Sequence, residues 1–167
     1  MGRTDTGDEQ QFRVRPPGVR GAAGALIRSP AGEVLLVERV YRPDQPWGLP
    51  GGIIEQDESP LAACRRELAE ELGVQAVIEH LAAVDWVPPR AGGTAALQWL
   101  FVVRLPENAE LRLPPDELSG WAWVAPDRLG ELLSAHVARR VRAALAARER
   151  GATAYLEHGH PMVEGEC

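Results

Sequence analysis

The sequence predicts an α/β sandwich, or the closely related α+β arrangement, built on a mixed β-sheet. Three observations lead there. Alternating or continuous apolar runs suited to strands come first, followed by a helix with clear start and stop residues, then by further strands and two more helices. Clusters of Pro and Gly separate these runs. The 167 residues and 18.2 kDa are enough for one domain with a proper core. That domain is expected over 19–150, between a flexible N-terminal segment 1–18 and a C-terminal tail 151–167.

Taken in chain order, strand-like runs cover 21–27 and 34–39, with the Ser29-Pro-Ala-Gly32 segment between them as a hairpin turn. A loop follows that carries Tyr41, Arg42 and Trp47, side chains able to stack on a base or pair with a phosphate. Trp47-Gly-Leu-Pro-Gly-Gly52 is a rigid turn whose glycines permit close approach of backbone to a ligand. Ser59 before Pro60 starts a helix, because Ser caps orphan amides and Pro fits the first helical position. Gly73 stops it about three turns later. Strands are then expected at 77–87, 96–104 and 121–124, and helices at 127–133 and 136–150. In the last helix Val137, Val141 and Leu145 form a stripe that would dock on the sheet or on a second subunit, and the arginines are read as a solvated basic face.

Composition narrows the function classes. Apolar residues make up 45% and charged residues 25%, an ordinary globular balance. No apolar run approaches the ~20 residues of a membrane helix, and the polar N-terminus lacks the apolar centre of a signal peptide. A cytoplasmic location is therefore expected. The two cysteines, Cys64 and Cys167, give no disulfide framework. A net charge of −6 argues against a protein that coats nucleic acid. All 18 basic residues are arginine, which suits bidentate phosphate contacts, but with Ala, Gly and Pro also abundant a GC-rich genome is the better explanation.

The helix between Ser59 and Gly73 carries the chemistry. Glu67, Glu70 and Glu71, spaced i, i+3 and i+4, fall within one wedge of roughly 100°. Leu61, Cys64, Leu68 and Leu72 gather on the adjoining face, which would pack on a core. Ala63 lies inside the wedge and leaves room for something to approach. Three like charges so placed repel one another, whereas hard oxygen ligands in that pattern suit Mg²⁺ or Mn²⁺. Such a cation would invert the local sign and let an acidic protein handle phosphates.

Gly52 to Val74 reads GIIEQDESPLAACRRELAEELGV. It matches G-x5-E-x7-R-E-U-x-E-E-x-G-U, U being bulky and apolar, with Gly52, Glu58, Arg66, Glu67, Glu70, Glu71 and Gly73 at the fixed places. Chance would give that match on the order of once in ten million sequences. The segment resembles the signature of the Nudix hydrolases, MutT-like enzymes that cleave pyrophosphate linkages with divalent metal ions. The resemblance covers roughly 19–133 and implies a mixed sheet sandwiched between α-helices. It also implies that the Gly51 carbonyl joins Glu67, Glu70 and Glu71 around Mg²⁺, with Mn²⁺ able to substitute. By the same resemblance Arg66 orients the carboxylates and Glu58 supports the site. Asp116-Glu-Leu-Ser-Gly-Trp-Ala-Trp-Val124 resembles a second landmark of the family, which would bring Glu117 to the metals as a ligand or general base and place Trp123 in the core.

The implied reaction is hydrolysis of a nucleoside diphosphate linked to another group X, such as ADP-ribose, a sugar nucleotide or a (d)NTP. Glu70, Glu71 and Glu117 are candidates for the base, and Arg42 and Trp47 for substrate contact. Pro88-Pro89 hints at the ADP-ribose pyrophosphatase-type subgroup. A different substrate class, an isoprenoid diphosphate, would call for an apolar pocket around Trp47, Trp86 and Trp99. A module that senses nucleotides without cleaving them is disfavoured by the intact set of box glutamates. The partner expected is a small diphosphate rather than nucleic acid or membrane, with a homodimer as a further expectation. His158-Gly-His160 offers two further metal-binding side chains, within the expected tail.

Overall fold

The computed structural model describes residues 18–162; the segment 1–17 and Cys167 lie outside the described residues. Two sheets and two long helices make up the fold. The larger sheet has six strands, in the order β4 (Gly51–Ile53), β1 (Arg20–Ile27), β6 (Ala96–Arg104), β5 (Val77–Val87), β8 (Ala154–Glu157) and β9 (His160–Pro161). It is mixed: β1 runs parallel to β6 and β5 parallel to β8, while the other neighbours are antiparallel. The smaller sheet is antiparallel and sets β2 (Val34–Arg39) between β3 (Trp47–Gly48) and β7 (Leu118–Val124).

The turn after β1 forms, closed by the Gly32 amide donating to the Ser29 carbonyl at 2.9 Å, with Gly32 at φ 88°. It does not make a hairpin ladder. Apart from a bridge between Arg28 and Val34, β1 and β2 diverge into different sheets. The divergence lets β2 bury both faces. Val34 and Leu36 join the core beneath α3 (Ala135–Glu149), whereas Leu35 and Val37 join the core beneath α1 (Pro60–Leu72). Full burial explains why β2 reads as a nearly continuous apolar run.

Ser59 caps α1 through its hydroxyl, which accepts from the Ala62 amide at 3.1 Å, and Gly73 ends the helix at φ 66°. Its core face holds Ala63, Cys64, Leu68 and Leu72. Leu61 was expected on that face but is 37% exposed, because Ala63 takes the inward position. Burial pushes the Cys64 thiol up to about 12, so it behaves as an apolar filler.

α2 (Leu129–Leu132) is a single turn, and α3 docks its Val137, Val141, Leu145 stripe against the sheet. The basic face of α3 is not uniformly solvated: Arg140 is 7% exposed and pairs with fully buried Asp85 on β5 at 2.6 Å. The expected tail is also corrected. Ala154–Glu157 and His160–Pro161 extend the sheet, Leu156 is fully buried, and Asp85 accepts the Gly159 amide at 2.9 Å. Gly159 lies against the backbone of the first turn of α3, where a Cβ would meet the His136 carbonyl oxygen at 2.5 Å. Only glycine permits that approach.

Candidate active site

The box helix meets the larger sheet at its β4 edge. Gly51 adopts φ 132° opposite Gly24, and a Cβ on it would strike the Ala23 carbonyl oxygen. Gly52 leaves the space into which the Glu67 carboxylate projects. The two glycines therefore let a backbone edge and a carboxylate-bearing helix face come together.

Arg66 organises the carboxylates. Its Nε and Nη2 each donate to Glu58 at 2.9 Å, a bidentate pair. Nη1 donates to Glu67 at 2.9 Å and to Glu70 at 3.1 Å, and Nη2 also reaches the Ile53 carbonyl at 3.1 Å. Arg66 also holds the Glu58 carboxyl below its ordinary value, helped by the Glu55 amide. One guanidinium thus ties three acidic side chains to the backbone before β4 ends.

Glu71 lies apart from that cluster. It is 3% exposed and accepts the Gly51 amide at 2.7 Å. Burial pushes its carboxyl up to about 7, against the opposing pull of that hydrogen bond and of Arg39, and with the negative charges of Glu67 and Glu117 adding to the rise. Burial likewise raises Glu67, opposed by Arg66. Glu117 is exposed, and its carbonyl accepts the Val40 amide at 2.9 Å, which ties its loop to the end of β2. Its charge is close enough to act on both Glu67 and Glu71.

Arg39 is a residue that sequence reasoning passed over. It ends β2 and donates to the Leu49 carbonyl at 2.7 Å, lying where a side chain on Gly48 would collide with it. The signal available was its place at the end of a strand that leads into the glycine-rich turn. Trp47 is half-buried on β3 against the core beneath α3. Arg42 is exposed on the preceding turn, and no side-chain contact among the described residues joins it to the glutamates. Trp99 packs on the opposite core from Trp47, so the two do not line one apolar pocket. Trp123 packs on the α1 side and meets Trp121 edge-on at 6.2 Å, with Trp121 itself 43% exposed. His158 stacks on His136 with ring centroids 4.7 Å apart, while His160 is exposed; the two do not converge on one point.

The NUDIX domain family profile matches residues 18–145. This chain belongs to the Nudix family. It is 30% identical over 123 residues to a MutT-like protein of Streptomyces ambofaciens, covering 74% of each chain. It is 29% identical over 138 residues to an RNA pyrophosphohydrolase of Azorhizobium caulinodans, covering 68% of this chain and 82% of the relative. The crystal structure of a MutT protein from Methanosarcina mazei superposes with a TM-score of 0.66 at 26% identity, over 80% of this chain and 96% of that one. The Nudix α/β fold and membership of this hydrolase family are thereby established, and the family is typically divalent-metal dependent.

Among the described residues, no three His, Cys, Asp or Glu side chains form a ready-made metal cage. The donor set nonetheless fits a hard divalent cation. It is all oxygen, Glu67 and Glu117 act on the Glu71 carboxyl at the Gly51 backbone and Glu70 acts on Glu67, and the carboxyl of Glu71 sits at about 7, where a cation readily displaces its proton. No helix is long and apolar enough to cross a membrane among the described residues.

Proposed function

We propose that this Nudix enzyme hydrolyses the pyrophosphate linkage of a nucleoside diphosphate joined to a second group X, by attack of water on phosphorus. The observation that carries the reading is Glu71, a buried carboxyl bonded to the Gly51 amide and crowded by two further carboxylates. Such an arrangement disfavours the charged carboxylate in the metal-free protein and is of the kind that functional sites hold. Glu67, Glu70, Glu71 and the Gly51 carbonyl are the groups to hold Mg²⁺, or Mn²⁺ in its place. When bound, the metal supplies neutralisation of phosphate charge and a lowered pKa for water.

The chain's own groups do the rest. Arg66 fixes the directions of Glu58, Glu67 and Glu70, so that they face the substrate without reorganising. Glu70, Glu71 or Glu117 takes the proton of the attacking water. Arg39 stands beside Glu71 as a cation for the phosphate chain. Trp47 and Arg42 remain the candidates for contact with the substrate's second group, Trp47 by stacking and Arg42 by pairing with phosphate. Products are a nucleoside monophosphate and phosphorylated X.

Separation of product nucleotides by liquid chromatography tests this reading. ADP-ribose, sugar nucleotides, dNTPs and a prenyl diphosphate would each be incubated with Mg²⁺, with and without chelator. Release of a nucleoside monophosphate, abolished by chelation, is the expected result. Cleavage of the prenyl diphosphate alone would replace the nucleotide reading with the isoprenoid one.

A further inference from the structure

The strand register lays out a row across the larger sheet. Ile53 pairs with Ala22, Ala22 with Gln98, and Gln98 with Asp85. Paired residues project to the same face of a sheet, and this face is the one α3 covers, since Asp85 bonds Arg140 and the next inward residue of β6, Leu100, joins the core there. Trp47 and Leu49 belong to the same side. The row is only partly covered. Asp85 is sealed beneath α3 and the β8–β9 hairpin, but Ala22 and Gln98 are half-buried and Ile53 is 66% exposed. The uncovered part of the row forms an open trough from Ile53 at the β4 edge to the hairpin. Glu71, on α1 at the other face, reaches the same edge strand two residues away through the Gly51 amide.

Gln98 lies midway along it. At about 4.8 Å per strand, it stands roughly 10 Å from Ile53, about the reach from a diphosphate to the base of its nucleoside. Its amide makes no side-chain hydrogen bond among the described residues, although its neighbour Asp85 is satisfied twice, by Arg140 and by Gly159. Ala22 beside it leaves space above the floor. An amide presents a donor and an acceptor side by side, which the edge of a base matches and a hydrocarbon chain does not.

We propose that Gln98 is a specificity-determining residue, its unpartnered amide hydrogen-bonding the edge of a nucleobase that lies in the trough between β4 and the C-terminal hairpin. This rests on the nucleotide reading above and names the part of the substrate that the sheet floor recognises. An isoprenoid chain in the same trough would leave the amide unsatisfied, so the residue selects against it.

The test measures kcat and KM for the four common nucleoside triphosphates and the four matching nucleoside diphosphate glucoses. Wild type is compared with Gln98→Leu and Gln98→Glu, with folding checked by circular dichroism. For the best base, Gln98→Leu is expected to raise KM about 10- to 100-fold, with kcat held within about threefold, and to flatten the preference among bases. Gln98→Glu, which loses the donor, is expected to change the order of preference. Wild-type turnover with the same base ratios in both variants, or a loss of kcat shared by every base, would overturn the inference while leaving the hydrolase reading intact. Failure of wild type on all eight compounds and on ADP-ribose would remove both.

Discussion

Glu71 is placed by opposing effects. Burial disfavours its charged form, as do Glu67 and Glu117, while the Gly51 amide and Arg39 favour it, and the balance lies at about 7. An ordinary carboxyl titrates near 4.5. Between those two pH values the folded metal-free protein holds a proton that the unfolded chain has released. Its stability therefore declines as pH rises from about 4.5 to about 7, by on the order of 3 kcal/mol. Chemical denaturation across that range, with chelator present, should show the decline in wild type and lose it in Glu71→Gln. Mg²⁺ should reverse it at neutral pH, because binding replaces the proton. A Glu71→Gln curve with the same pH slope as wild type would assign the slope to other groups.

At the scale of elements, the C-terminal hairpin is held by a few buried groups. Asp85 pairs with Arg140 and accepts the Gly159 amide, while Arg139 donates to the His158 carbonyl at 2.9 Å. Asp85→Ala would leave the Arg140 guanidinium buried without its partner, at a cost of roughly 3–5 kcal/mol. Urea unfolding should register that loss, and hydrogen exchange should show β8 and β9 opening first. Equal protection of the hairpin in both proteins would mean that packing of Leu156 alone holds it. This region was not legible in the sequence. Asp85 and Arg140 stand 55 residues apart and meet only through tertiary packing. The strands β3, β4, β8 and β9 have two to four residues each, too few for alternation to declare itself. The box helix was legible because Ser59, Pro60 and Gly73 act on their immediate neighbours. Of the groups around Arg66, only Glu70, one turn further on, follows from helical spacing; the roles of Arg66 and Glu58 came from the family resemblance. The Glu71 bond to Gly51, across 20 residues, needed the sheet edge that no local pattern announces.

Across the whole molecule, two sheets and two long helices bring distant segments to one edge. α1 supplies the carboxylates, β4 the backbone, β2 the Arg39 cation, and the loop before β7 the Glu117 carboxylate. An enzyme of net charge −6 can gather anionic substrate there only if the acidic groups are neutralised, by Arg66 in part and by a divalent cation for the rest. The most direct measurement is the rate of nucleoside monophosphate release at increasing Mg²⁺ for wild type, Glu70→Gln and Glu71→Gln. The account predicts saturable dependence on Mg²⁺ in wild type and a loss of about 10²-fold or more in kcat for each variant. Full activity in chelator, or wild-type rates in both variants, would contradict it.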